Sequence, residues 1–88
     1  MARAAALPAI ASVNWDGKKT MVVSGSAFDS GARLLINDAD RTDYVRSLND
    51  STMRVKAKAK ALGLKTGDNT IRIVNGDGVA SNVFVLQN

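Results

Sequence analysis

The sequence predicts an all-β chain, an antiparallel sandwich of about seven strands, on three observations. The closing stretch from Ile71 to Leu86 sets two β-rich runs on either side of Asn75-Gly76-Asp77-Gly78, a turn sequence suited to a β-hairpin. Short runs of strand-forming residues recur at roughly ten-residue intervals between turn signals, the spacing of a sandwich. From Thr52 to Lys60 the chain alternates with a period of two: Met53, Val55, Ala57 and Ala59 share one face, and Arg54, Lys56, Lys58 and Lys60 share the other.

Taken in order, residues 1–8 read as an Ala-rich arm or the remnant of a linker, and residues 9–88 as the folded domain. Ala9 to Trp15 is the first strand; the turn Asp16-Gly17-Lys18-Lys19 hands over to a second at Thr20-Met21-Val22-Val23-Ser24. Phe28-Asp29-Ser30-Gly31 turns into Ala32–Asn37, whose short aliphatic run suits a sandwich strand better than a helix. After a turn at Asp38-Ala39-Asp40, Arg41–Ser47 mixes polar and semi-apolar residues as an edge strand does. Asn49-Asp50-Ser51 is a turn before the alternating Thr52 run, and good helix formers in Lys58–Leu64 predict a loop or short helix there. Strands over Asn69–Asn75 and Val79–Gln87 complete the set. Asn75-Gly76 suits a two-residue primed turn, and Gly78 with Ser81-Asn82 suggests a bulge or kink in the strand beyond it.

Composition narrows the chemistry. The 88 residues make one small domain, 45% apolar but with only one Trp, one Tyr and two Phe, so its core is mostly aliphatic. There is no Cys to form a disulfide, and no Cys or His to bind zinc; stability rests on packing or on neighbours. The same inventory excludes Ser-His-Asp triads, Cys nucleophiles and His-ligated metals. All eight acidic residues are Asp, and most stand beside Gly, Asn or Ser, where Asp bonds its own backbone in turns. Asp38-x-Asp40-x-Thr42 opens like a calcium loop, but Asp43 stands where the loop needs Gly and Asn49 where it needs Glu. No catalytic residue, metal or cofactor is expected. The apolar run before Pro8 is too short for a signal-peptide core, and no window approaches the ~20 apolar residues of a membrane span.

Across nearly its whole length the chain resembles an IPT/TIG domain, the immunoglobulin-like module found in plexins, Rel-type transcription factors and many bacterial surface proteins. The resemblance is carried by Pro8-x-Ile10-x-Ser12-Val13, by Ser24-Gly25-Ser26-x-Phe28 and Gly31-Ala32, by Leu34-x-Ile36-Asn37, and by Asn75-Gly76-Asp77-Gly78-x-Ala80-Ser81-Asn82 with Phe84-x-Leu86. The Lys56–Lys65 segment departs from it, since the family more often approaches the next strand through a proline-containing loop. The resemblance implies an immunoglobulin-like sandwich and a non-catalytic module of an exported or surface-displayed bacterial protein that spaces, assembles or binds. In physical terms Gly25 and Gly31 allow positive φ or a close passage of backbone between sheets, and Phe28 plugs the core at that corner.

Three surfaces are candidates for binding. Trp15 either caps the core or stands exposed at a loop tip; if exposed, Trp15 and Tyr44 would form a platform for a sugar ring, with Arg41 and Arg46 beside it. The basic patch Arg54, Lys56, Lys58 and Lys60, in a chain of net charge +4, invites a nucleic-acid reading. A solvated strand face explains it better, because no aromatic residue interleaves the stripe to stack on bases. The arm, residues 2–8, would serve self-assembly into an oligomer or fibre. The expected partner is therefore a protein or polysaccharide, outside the cell or at its surface, with neither nucleic acid nor membrane insertion expected.

Overall fold

The computed structural model describes residues 7–88. Two four-stranded antiparallel sheets face each other. One has the order β1-β2-β6-β5, from Ala9–Trp15, Thr20–Ser26, Thr52–Lys56 and Val45–Leu48; the other has the order β4-β3-β7-β8, from Ala39–Asp40, Arg33–Ile36, Asp68–Val74 and Phe84–Gln87. This is the expected immunoglobulin-like sandwich, with the two-residue β4 added to the seven longer strands. The core is aliphatic, as the composition requires. Ile10, Val13, Met21, Val23, Met53 and Val55 from the first sheet meet Leu34, Ile36, Ile71, Ile73 and Leu86 from the second, and Phe28 and Leu62 are buried with them from the segments that follow β2 and β6.

Two bulges set the faces of the first sheet. In β1 the register slips between Ile10 and Ser12, so Ile10 and Val13, three residues apart, are both buried. Here Gly25 has no room for a side chain: a Cβ would lie 1.8 Å from the Ala9 carbonyl oxygen. In β5 the slip falls between Val45 and Ser47, opposite Val55 and Arg54.

Several elements depart from the sequence reading. The edge strand anticipated over Arg41–Ser47 begins instead as a single 3-10 turn, Thr42–Tyr44, and becomes a strand only at Val45. The cause is Asp40, whose carboxylate accepts hydrogen bonds from the Thr42 backbone N–H at 2.9 Å and from the Thr42 hydroxyl, curling the chain. Before it, Asn37 and Asp38 have φ of 52° and 67°, the signs of a two-residue primed turn, and they join β3 to β4.

The alternating run stops early, and the short helix anticipated within Lys58–Leu64 follows it. β6 ends at Lys56, and Ala59–Leu62 forms one turn of α-helix, α1, capped by Gly63 at φ 72°. Burying Leu62 completely outweighs continuing a strand whose inward residues would be alanines. In the last hairpin the primed turn is not at Asn75-Gly76. The Gly78 N–H donates to the Asn75 carbonyl at 2.9 Å, and Gly78, not Gly76, has positive φ at 90°. Residues 79–83 cross irregularly through a Val74–Ala80 bridge, leaving β8 as Phe84–Gln87 only. Gly76 is small for a different reason: a Cβ there would lie 3.2 Å from the Gly31 Cα across the end of the sandwich.

Candidate functional site

The outer face of the β1-β2-β6-β5 sheet carries a groove of about 300 Å³ lined by Thr20, Arg46, Ser47, Arg54, Val55 and Lys56. Its construction follows from strand register. Thr20 of β2 is opposite Lys56 of β6, and Arg54 of β6 lies between Val22 on one side and Ser47 of β5 on the other. Met53 and Val55 point inward, so Arg54 and Lys56, their alternates, point outward. In β5 strict alternation would send Arg46 and Ser47 to opposite faces. The bulge removes that alternation: Val45 and Leu48 lean on the core while both Arg46 and Ser47 are exposed at the groove. Arg46 is steadied by donating from Nη1 to the Asp43 carbonyl oxygen at 3.4 Å. The result is three cations and two hydroxyls around one hollow, with no carboxylate among the lining residues.

The residues singled out from the sequence scatter about this groove. Arg46, Arg54 and Lys56 line it. Lys58 and Lys60 do not continue the β6 stripe, since Lys58 is the residue preceding α1 and Lys60 lies within it. Arg41 is half-buried at the Gly63 end of α1, where its Nη2 lies 2.8 Å from the place a Gly63 Cβ would occupy, and its Nε is buried without a hydrogen-bond partner.

Trp15 and Tyr44 do not form one exposed platform. Trp15 is opposite Met21, which pairs with Val55, which pairs with Val45, the neighbour of Tyr44. The two aromatic positions thus lie at opposite edges of the sheet, three strand spacings or about 14 Å apart. Both rings are half-buried and pack on the core, and the indole Nε1 is buried without a partner. The arm assigned to assembly, residues 2–8, lies outside the described residues except for Leu7, which is exposed, and Pro8, which is buried.

Sequence reasoning missed Thr20 and Ser47, and missed that Arg46 joins Arg54 and Lys56. One signal was present: Arg46-Ser47 puts two polar residues together between Val45 and Leu48, which a regular half-buried strand does not do.

Several Asp side chains serve as turn fasteners. Asp16 accepts from the backbone N–H of Lys18, Lys19 and Thr20 at 2.7–3.1 Å, and those hydrogen bonds, led by the one from Lys18, hold its carboxyl below the usual range. Asp40 is lowered likewise, chiefly by the Thr42 hydroxyl. Asp29 binds the Gly31 and Gly76 N–H groups at 2.9–3.0 Å, and Asp77 binds that of Val79 at 3.0 Å. Among the described residues no three His, Cys, Asp or Glu side chains are grouped to hold a metal, and no helix is long and apolar enough to cross a membrane. No family model and no curated protein matches the chain.

Proposed function

We propose that the chain is a non-catalytic, immunoglobulin-like interaction module of IPT/TIG type, belonging to a bacterial extracellular or surface protein, and that it binds a protein partner on the outer face of the β1-β2-β6-β5 sheet. One observation carries this reading: a bulge in an edge strand gathers Arg46, Arg54 and Lys56 around a single hollow without a neutralising carboxylate. Dispersed cations would keep the domain soluble equally well; grouping them costs mutual repulsion and is useful where an anionic surface arrives. The use of Asp16, Asp29, Asp40 and Asp77 to fasten turns supports a module without acid–base chemistry.

A carbohydrate platform at Trp15 and Tyr44 finds less support, because both rings lean on the core. Nucleic-acid binding finds less as well, since the groove has no aromatic lining on which a base could stack. The test is a pull-down and titration series with Arg54→Glu/Lys56→Glu against the parent chain, using partners from exported bacterial fractions. Binding that survives the double reversal places the interaction elsewhere and overturns the assignment to this face.

A further inference from the structure

We infer that an extended, carboxylate-rich protein segment pairs with the free edge of β5 and turns its acidic side chains over that strand toward the basic groove; the inference rests on the docking face proposed above and names the chemistry of its partner. Three features converge. The groove offers three positive groups to negative ones: Arg46 and Arg54 carry planar guanidinium forks suited to carboxylates, and Lys56 adds a third charge. Ser47, on β5 itself, adds a hydroxyl that donates to the same oxygens, while Thr20 closes the far side of the groove on β2.

The third feature is the strand at the rim. β5 is the terminal strand of its sheet, so the side facing away from β6 has no ladder partner among the described residues. An unladdered edge displays backbone N–H and C=O groups at the repeat of a peptide chain, which a polysaccharide or nucleic acid does not match. Because the β5 bulge turns consecutive residues Arg46 and Ser47 to the outer face, a strand added there meets charge and hydroxyl together. In such a strand every second side chain lies on the outer face. The segment that fits therefore has acidic residues at alternate positions over about four residues, the length of Val45–Leu48.

The experiment is a titration of the full-length, ¹⁵N-labelled chain with a blocked hexapeptide of alternating Glu and Val, run beside the matching Lys-Val peptide, a galacturonate oligosaccharide and a short single-stranded DNA. The expected result is saturable shifts of the Arg46, Ser47, Arg54 and Lys56 amides with the Glu-Val peptide alone, slower amide exchange in Val45–Leu48, and affinity reduced at least tenfold by Lys56→Glu and by Arg46→Glu. Both side chains are exposed, so unchanged spectra elsewhere in the variants certify the fold. Silence from the Glu-Val peptide with saturable galacturonate or DNA shifts at the same amides overturns the peptide inference and leaves the docking face standing. Shifts confined to other surfaces, or none with any probe, overturn both.

Discussion

Two buried asparagines fasten the loops at the two ends of the sandwich. Along β7 and the residue that follows it the buried positions read Asn69, Ile71, Ile73 and Asn75, an aliphatic pair bracketed by amides. Asn69 is fully buried and satisfied: its Oδ1 accepts from the Lys65 N–H and from Asn37 Nδ2, and its Nδ2 donates to the carbonyls of Lys65 and Gly67. Asn75 does the same at the other end, donating to the Ala27 carbonyl and accepting from the Asp29 N–H. Asn69→Ala strands those groups, and we expect a loss of about 3 kcal/mol in urea unfolding, since a buried unsatisfied group costs about 1–3 kcal/mol. Ala27 shows the opposite situation. Its φ of 62° suits glycine, so Ala27→Gly should raise stability by about 0.5–1 kcal/mol, the left-handed penalty less the extra chain entropy of glycine. The asparagines were legible as strand residues but not as fasteners, because their partners lie up to 48 positions away in the chain and only folding brings them together.

Strand boundaries show which local forces the sequence made visible. β1, β2 and β3 fall close to where alternation and turn residues place them, because inward burial there is unopposed by side-chain capping. The boundaries shifted where another interaction was stronger. Asp40 curled the start of the edge strand, Leu62 pulled the lysine-rich run out of β6, and a positive φ at Gly78 moved the final turn. The close approach anticipated at Gly25 is present and testable. Gly25→Ala pushes a Cβ into the Ala9 carbonyl and should cost about 3 kcal/mol, whereas Gly17→Ala, in open space at φ 80°, should cost only about 1 kcal/mol in the same unfolding assay. The turns also carry a pH signature. Asp16 and Asp40 are more acidic in the folded chain than when unfolded, so the stability they contribute is complete above the ordinary carboxylate value of about 4 and is lost as pH falls through their lower folded values. Acid unfolding followed by circular dichroism should show that slope, and Asp16→Asn/Asp40→Asn should flatten it.

At the scale of the whole molecule the arrangement of edges decides how the domain meets other chains. An immunoglobulin-like sandwich has open edges, and each is a potential site for pairing with another copy. Here β1 is tied at Ile10 by Asn82, whose side chain accepts from the Ile10 N–H at 2.8 Å and donates to its carbonyl at 3.2 Å, joining the two sheets. β4 is too short to template a partner, and the cations at β5 repel another copy of this chain while admitting an acidic segment. β8 is left, with Val83 and Val85 at 43% and 50% exposure beside a regular strand. With net charge +4 opposing close approach of copies, light scattering over a concentration series in dilute salt should report a monomer. Salt that screens this repulsion should expose β8 as the weak edge, giving concentration-dependent association that Val85→Lys abolishes. Oligomers in dilute salt that survive Val85→Lys but vanish on deletion of residues 2–8 would instead assign self-association to the arm, and the domain would then be a unit of assembly rather than a docking module.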